Sequence, residues 1–270
     1  MSWWGKLIGG AFGFVLGGPL GALLGAALGH SLDSGIKNLH VDGVDWSGGD
    51  TERVQAAFFT AVFSVMGHLA KADGRVSESE IQAARQIMDR MQLDDDQKRL
   101  AMGLFNQGKQ PDFDLESVLD QFRKECHRRT NLLQMFLEIL IVTALADLEL
   151  HESEQKVLFQ VADRIGFHRR QFEQLLAMAA AQQRYAGQHR QQMPQQPKGP
   201  TLEEAYQALG VEPSATDGEL KKAYRRLMSQ HHPDKLVAKG LPEEMIKMAT
   251  EKTQEIRAAY EQIKRAREAA

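Results

Sequence analysis

The most concentrated set of chemically active side chains in this sequence lies near its C-terminus, in the stretch SQHHPDKLVAKG. His231, His232, Pro233 and Asp234 follow one another directly there. Such a group could ligate a metal, form an acid-base pair or present a rigid contact to another protein. Adjacent histidines cannot direct enough ligands at one ion, and an acid-base pair needs a pocket. Proline fixes its own φ and disfavours helix at the preceding residue, so the pattern predicts a stiff, exposed corner that contacts a partner.

An internal repeat organises the middle of the chain. The 28 residues that begin at Ala70 match the 28 residues that begin at Ala144 at 10 identical positions, with a constant shift of 74 residues. The stretch from Leu132 to Ala146 is apolar almost all round, but it is short for a membrane crossing and therefore predicts a core helix. We predict one duplicated all-α domain over residues 51–180. It resembles the TerB-like family, whose helices carry the same A-D-G-x-[VL]-x-x-x-E turn.

Four acidic residues of this repeat could ligate a divalent metal, because the duplication can bring two oxygen-rich turns together. They are Asp73, Glu80, Asp147 and Glu154. Helix capping explains them more economically, since Ser77-x-x-Glu80 is a capping box and His151-x-x-Glu154 is a weaker version of one. A metal-binding sensor or a scaffold built on this domain stays open as the alternative function. No cofactor is predicted.

Composition and motifs argue against several functional classes. The chain has 270 residues with a formal net charge of -3, so it has no overall basic excess that would attract nucleic acid. It carries no nucleophile-base pair, phosphate-binding loop or histidine-metal spacing, and we therefore expect that it is not an enzyme. The single cysteine, Cys126, cannot form an intrachain disulfide, and we expect it to pack within the helical domain.

The N-terminal segment is the most apolar part of the chain. From Leu7 to Gly29 there are 23 residues without a charge. At ~1.5 Å per residue this is roughly 34 Å of helix, enough to cross a ~30 Å hydrocarbon core. We predict a single transmembrane helix over residues 7–29, between a short N-terminus (1–6) and a polar linker (30–50). A cleaved signal peptide is the alternative, although its apolar core usually has only ~7 to 15 residues.

Glycines recur every four residues within this segment. Such spacing places small residues along one stripe, where a second helix can approach closely, and it predicts a homodimer through the transmembrane helix. The charges that flank the segment do not decide its orientation. The stripe consists of Gly9, Gly13, Gly17, Gly21, Gly25 and Gly29.

The C-terminal part follows a Gln- and Pro-rich stretch, residues 181–200, which predicts a flexible linker. Capping boxes at Thr201 and Thr216 each begin a helix, and a longer helix is predicted from about Pro242. The helix that begins after Thr216 has one apolar face and one basic face. We define the basic face by its four residues, Lys221, Lys222, Arg225 and Arg226.

The sequence from Thr201 to about Ala266 contains Y-x-x-L-G-V, L-K-K-A-Y-R-R-L, H-P-D-K and E-I-x-x-A-Y in that order. It resembles the J domain of DnaJ-type co-chaperones, which predicts a helical hairpin with His232, Pro233 and Asp234 at its joint. The resemblance implies that these three residues contact the ATPase domain of DnaK and trigger ATP hydrolysis. The basic face would steer docking on an acidic surface of DnaK. Replacement of His231 is expected to matter much less.

With its N-terminal span, TerB-like centre and J domain over residues 201–270, the chain is similar to the membrane-anchored DnaJ-like co-chaperones of Gram-negative bacteria. This similarity implies a regulatory co-chaperone of DnaK in the inner membrane. Its N-terminus would be periplasmic and its C-terminal domains cytoplasmic, where DnaK and ATP are found. In this family the role is linked to envelope signalling and capsular polysaccharide synthesis. The expected partners are DnaK, a second copy of the chain and the membrane, without nucleic acid.

Overall fold

The computed structural model describes residues 16–33, 50–74, 78–145, 150–190 and 201–268. Within these ranges the regular secondary structure is helical and includes no strand, which confirms the all-α class. We number the α-helices in chain order, and a 3₁₀ turn at Glu243–Met245 precedes the last one. They are Gly18–Asp33 (α1), Asp50–Leu69 (α2), Glu78–Arg90 (α3), Asp95–Gly108 (α4), Leu115–Glu125 (α5), Thr130–Ala144 (α6), Glu152–Arg164 (α7), Arg169–Arg190 (α8), Leu202–Leu209 (α9), Asp217–His231 (α10), Pro233–Val237 (α11) and Ile246–Glu268 (α12).

Helix α2 is the centre of the helical domain because neighbouring helices bury it on nearly all sides. Phe58, Phe59 and Phe63, which lie on different faces of α2, are all fully buried. Helices α4, α5 and α6 pack on α2. The ring centroid of Phe58 lies 5.9 Å from that of Phe122 on α5 and 6.4 Å from that of Phe136 on α6, both in edge-on geometry. These aromatic contacts join three helices at one point.

Helices α2 and α4 cross at two glycines, where no side chain fits. A Cβ atom on Gly67 would lie 1.9 Å from the backbone oxygen of Phe105, and one on Gly108 would lie 1.8 Å from the backbone oxygen of Ser64. The hydroxyl of Ser64 donates back to the carbonyl oxygen of Thr60 at 2.7 Å. Close approach of the two backbones, and not an unusual φ, is therefore what requires glycine at this crossing.

The apolar stretch that predicts a core helix forms α6, which is buried along most of its length. Cys126, directly after α5, is also fully buried. This burial raises the pKa of its thiol to about 12. Because the thiolate is the reactive form of cysteine, Cys126 contributes packing and is not set up to react. Both sequence predictions for these residues are confirmed.

Helix α1 differs from the continuous helix predicted over residues 7–29. Residues 7–15 lie outside the described part of the chain, and none of the described helices has both the length and the hydropathy of a membrane span. Gly17 and Gly18 have φ angles of 56° and 59°, so the helix starts only at Gly18, and it continues to Asp33. Leu20 and Leu24 of α1 are fully buried, and α1 packs on α4 and α5.

The side chain of Gln121 on α5 fixes the start of α1. Its Oε1 accepts a hydrogen bond from the backbone N–H of Leu20 at 2.8 Å. Its Nε2 donates to the carbonyl oxygens of Leu16 and Gly17 at 3.0 and 2.9 Å. One amide side chain thereby bonds three backbone groups at the start of α1, and it supplies the N–H of Leu20 with the acceptor that the first turn of a helix lacks.

Helix α8 is longer than the sequence predicts and includes the first half of the predicted linker. It runs to Arg190, so residues 181–190 are helical, whereas the sequence composition predicts a flexible linker over 181–200. Ala181 and Gln182 are buried because this part of α8 packs on α9 of the C-terminal unit, residues 201–268. Buried residues of the helical domain and of the C-terminal unit belong to one hydrophobic cluster. The two regions therefore pack together over a shared interface.

We expect Gly67→Ala to lower the free energy of unfolding by about 2 to 4 kcal/mol, because its Cβ would collide with backbone and overpacking already costs ~1 to 3 kcal/mol where side chains can adjust. Urea unfolding of the whole chain in detergent, followed by circular dichroism, measures this loss. Gly218→Ala is the matched control, since its Cβ would meet only the Thr216 hydroxyl oxygen at 3.9 Å. Unchanged stability of Gly67→Ala would contradict the close crossing.

Candidate functional site

The His-Pro-Asp corner lies at the break between α10 and α11. Helix α10 ends at His231, and His232 is extended, with φ −61° and ψ 124°. Pro233 is the first residue of α11, and its ring explains the break because it disfavours helix at the residue before it. The side chain of His232 is 45% exposed and that of Asp234 is 91% exposed. The corner therefore has the predicted exposure, while the short helix α11 was not predicted.

The predicted basic face of α10 is open to solvent. The opposite face of this helix packs inward through Leu220, Ala223 and Leu227. Tyr224 completes the packing by stacking on Tyr260 of α12, with 4.3 Å between ring centroids. The fold thereby places the basic face on the exposed side of the same helix that leads into the corner. All four of its residues are exposed, namely Lys221, Lys222, Arg225 and Arg226.

Helices α10 and α12 run antiparallel, as the sequence pattern predicts. The corner joins them at one end, and Arg267 of α12 connects them at the other. Its guanidinium donates to the carboxylate of Asp217, at the start of α10, at 2.6 Å. It also donates to the hydroxyl of Tyr206 on α9 at 2.8 Å. One arginine therefore holds three helices together at the end of the hairpin that lies away from the corner.

Both predicted capping boxes of the C-terminal unit are present. The Thr201 hydroxyl accepts from the N–H of Glu204 at 3.2 Å, and the Glu204 carboxylate accepts from the N–H of Thr201 at 2.8 Å. Thr216 and Glu219 repeat this exchange at 3.3 and 2.8 Å. These reciprocal bonds pair backbone donors that would otherwise lack partners and fix where α9 and α10 begin.

The helical domain holds the C-terminal unit through amide side chains that donate to backbone carbonyl oxygens. These bonds involve no side chain of the C-terminal unit. They depend only on where its backbone carbonyl groups lie. An ion pair between Arg90 on α3 and Glu251 on α12, at 2.9 Å, lies at the same interface. The amide bonds run from Gln182 to Ala208 (2.8 Å), from Asn131 to Gln230 (3.1 Å) and from Gln55 to Leu241 (3.4 Å).

His231 lies inside this interface, although it is adjacent to the exposed corner. It is 3% exposed, and its Nε2 lies 3.5 Å from Oε1 of Glu138 on α6. The Glu138 carboxylate also accepts a hydrogen bond from Gln134 at 2.8 Å and lies 4.0 Å from Nζ of Lys252 on α12. Burial lowers the pKa of His231; the Glu138 carboxylate opposes this shift, and Lys252 adds to it. The two adjacent histidines therefore have different environments and different roles.

This cluster was not predicted, although two signals for it are present in the sequence. His231 follows Leu227 by four residues and so lies on the apolar face of α10. Glu138 is the only acidic residue in the apolar sequence of α6. A charged residue on a buried helix needs a polar partner, and a histidine on another buried face is a suitable one.

The acidic residues of the repeat do not come together as a site in the part of the chain that is described. Glu154 is buried and accepts a hydrogen bond from the N–H of His151 at 2.9 Å, which agrees with the capping interpretation. Asp73 is exposed and Glu80 is half-buried, while Asp147 lies outside the described residues. Among the described residues, no group of three or more histidine, cysteine, aspartate or glutamate side chains could hold a metal ion.

The structure describes four glycines of the predicted stripe, and Gly9 and Gly13 lie outside the described residues. Gly17 precedes α1 and has φ 56°, so the helical four-residue spacing does not pass through it. Gly21 is buried at the edge of the packed face of α1. Gly25 and Gly29 are exposed, with no atom within 4 Å of the position of an added Cβ. The glycines of the stripe therefore lie on different faces of α1. Gly21 is on the packed face, and Gly25 and Gly29 are on the exposed face.

Comparison with known proteins gives the three regions independent support. The DnaJ domain family matches residues 204–269, and the family of tellurite resistance protein TerB matches residues 59–177. The co-chaperone DjlA transmembrane domain family matches residues 1–39. From the N-terminus to the C-terminus, the matched families are the transmembrane domain, TerB and the DnaJ domain. This is the order that the sequence predicts.

Similarity also extends over nearly the whole chain. Co-chaperone protein DjlA of Coxiella burnetii is 47% identical over 272 residues, which cover 99% of both chains. The chain belongs to the DjlA co-chaperone family. DjlA of Photobacterium profundum is 45% identical over 97% of this chain and 98% of its own, and DjlA of Escherichia coli K12 is 44% identical over 98% of both. No solved structure matches this chain.

We expect the free energy of unfolding to fall as the pH drops below about 6.5, the ordinary pKa of histidine. The unfolded chain binds a proton on His231 near that pH, whereas the folded chain, in which burial lowers the pKa, binds it only at lower pH. Protonation therefore favours the unfolded state, and the stability present above about pH 6.5 is lost as the pH falls.

Urea unfolding of the whole chain at pH values from about 7.5 to 5 tests this dependence. His231→Gln should weaken it, leaving the part due to His68, whose pKa is also lowered by burial. His232→Gln is the control, because the side chain of His232 is partly in solvent. An unaltered pH dependence in His231→Gln would argue against a buried neutral imidazole.

Proposed function

We propose that this DjlA-family co-chaperone stimulates ATP hydrolysis by DnaK through its J domain and does not itself hydrolyse ATP. The observation that carries the proposal is the exposed corner of His232, Pro233 and Asp234, directly after the basic face of α10. Packing of the J domain on the TerB-like domain leaves the imidazole of His232 and the carboxylate of Asp234 accessible. The name co-chaperone, which the relatives carry, supports an accessory role.

The chemistry of the corner suits a contact that must form quickly and in one orientation. Pro233 and the two flanking helices restrict the backbone, so little conformational entropy remains to be lost when the corner binds. The basic face adds long-range attraction toward an acidic surface and so raises the association rate. The J domain as a whole contains 12 basic and 12 acidic residues between positions 201 and 270, so this attraction is local to α10.

Replacing Asp234 by Asn, or His232 by Gln, should abolish stimulation of DnaK while leaving the helical content unchanged, because both side chains are exposed contacts. Single-turnover hydrolysis of ATP bound to DnaK, with and without the whole chain, measures the effect. Glu212→Gln is the matched control, because it also replaces an exposed carboxylate by an amide. Glu212 lies in the loop before α10, near Asp217 and away from the corner. Full stimulation by Asp234→Asn would overturn the proposed function.

We further propose that the chain is an inner-membrane protein with a periplasmic N-terminus and cytoplasmic TerB-like and J domains. The match of residues 1–39 to the DjlA transmembrane domain supports membrane association. The orientation follows from the proposed partner, since DnaK and ATP are cytoplasmic. A role in envelope signalling and capsular polysaccharide synthesis is the corresponding proposal for the pathway.

A homodimer formed through the N-terminal segment is the remaining part of the proposal. Its support is the composition of the face that α1 leaves exposed. Small residues on such a face allow a second helix to approach closely. The exposed small residues are Ala22, Gly25, Ala26 and Gly29.

Changing Gly25 and Gly29 together to leucine should weaken self-association of the chain by about tenfold or more, which corresponds to roughly 1.4 kcal/mol. The Cβ atom of either new side chain has open space around it, because no atom of the described residues lies within 4 Å of its position. Energy transfer between labelled chains in liposomes measures the association. The double change to alanine is the control and should preserve it, since alanine also permits close packing. Equal association of the leucine and parent chains would exclude this face as the contact.

A further inference from the structure

A second cluster of basic side chains, which includes two arginines, lies on the TerB-like domain in the turn between α5 and α6. We call His127, Arg128 and Arg129 the turn patch. His127 and Arg128 are exposed and Arg129 is half-buried. Arg129 also occupies the N-cap position of α6, without a side-chain capping bond, and the helix dipole adds partial positive charge there. The sequence analysis assigned no role to these residues, and the proposed function does not use them.

Contacts across the domain interface place the turn patch beside the His-Pro-Asp corner. Asn131, two residues after the patch, donates its side-chain amide to the backbone oxygen of Gln230 at 3.1 Å. Farther along α6, Glu138 faces His231 at 3.5 Å. The N-terminal half of α6 therefore lies against the last turn of α10. Since the corner begins with His232, it directly follows this point of contact.

Neighbouring acidic residues are engaged with other cations. Glu125, at the end of α5, pairs with Arg53 at 2.8 Å. Asp120 and Glu116, earlier on α5, both pair with Arg164 of α7, at 2.5 and 3.2 Å. These carboxylates are directed to partners outside the turn, so the turn patch keeps its positive charge toward solvent.

We infer that the turn patch and the basic face of α10 form one extended cationic surface that binds an acidic surface of the DnaK-type chaperone, with the His-Pro-Asp corner between its two parts. This inference rests on the proposed function. The TerB-like domain then contributes directly to recognition of the chaperone, and it does so only because the J domain is packed on α6. Positive charge would attract an anionic lipid surface as well, but continuity with the corner selects the chaperone as the partner.

Arg128 allows a clean test because its backbone already has a positive φ of 61°. Aspartate and asparagine tolerate this conformation better than most residues, so Arg128→Asp reverses the charge and Arg128→Asn removes it without new backbone strain. Arg170→Asp is the matched control, an identical charge reversal at an exposed position in the first turn of α8. Circular dichroism checks that each variant is folded.

The experiment uses the whole chain in zwitterionic detergent micelles, where no anionic lipid is present. Stopped-flow mixing with ATP-bound DnaK gives the association rate. We expect Arg128→Asp to slow association about three- to tenfold at low ionic strength, with the difference shrinking as salt shortens the Debye length toward ~3 Å at 1 M. Arg128→Asn should have an intermediate effect, and Arg170→Asp should associate at the parental rate.

Combination with the basic face tests whether the two clusters contribute independently to the same association step. Arg226→Glu and Arg128→Asp should each slow association, and their effects on the logarithm of the rate should add if both sites meet the same acidic surface without touching each other. Loss of stimulation by Asp234→Asn is measured in parallel, so that the proposed function has its own readout.

The possible outcomes distinguish a failure of the turn-patch proposal from a failure of the proposed function. If Asp234→Asn abolishes stimulation but Arg128→Asp associates at the parental rate, the turn patch has no part in docking and the inference fails alone. Equal slowing by Arg128→Asp and Arg170→Asp would show a general effect of net charge and would also overturn it. An Arg128→Asp defect that appears only on vesicles with anionic lipid would assign the turn patch to the membrane instead. If the parent chain does not stimulate DnaK, the proposed function fails.

Discussion

A buried carboxylate constrains how the two domains of this protein fit together. Glu138 lies on α6, whose other side chains are mostly apolar, and its side chain is only 8% exposed. A buried charge costs several kcal/mol unless nearby groups compensate for it. Gln134 supplies a hydrogen bond from the same helix, but the imidazole of His231 and the ammonium of Lys252 both come from the J domain. The polar environment of Glu138 is therefore complete only when the J domain is packed against α6.

The packing of the J domain against α6 also determines the direction in which the His-Pro-Asp corner points. Once His231 is held against α6, the following residue must leave the interface, because Pro233 prevents α10 from continuing. His232 and Asp234 are then directed to solvent, while Asn131 holds the backbone of α10 at Gln230 and Gln182 holds that of α9 at Ala208. The J domain is thus an oriented part of a larger body. Its recognition surface can include residues of the neighbouring domain.

Among the described residues, glycine has two different physical roles in the fold, and two further glycines have neither. Gly67 is needed where two helices cross at backbone contact. Gly17 and Gly18 provide the positive φ angles at the start of α1, where Gln121 pairs the backbone groups. Gly25 and Gly29 have neither role, because they are helical and nothing lies close to them. A small residue at such a position is not explained by the fold of one chain, which is why these two glycines bear on self-association.

The features that could be predicted from the sequence depend on interactions between residues close together in the chain. The capping boxes at Thr201 and Thr216, the end of α10 before Pro233 and the core position of α6 each depend on residues within one or two helical turns. The same holds for the hairpin itself, because the apolar faces of α10 and α12 and their basic counterpart are periodic in the sequence. Motif order was specific enough to indicate the J domain.

Only the tertiary structure decided which long-range partners these elements have. It separated His231 from His232, placing one in an interface and the other in solvent, although the two are adjacent and chemically identical. It extended α8 to Arg190, because Ala181 and Gln182 gain a buried contact with α9 that local composition does not reveal. It also brought the turn patch, about a hundred residues away in sequence, next to the corner. Side-chain environment depends on which surfaces meet, and helical periodicity specifies that a face is buried but not what it is buried against.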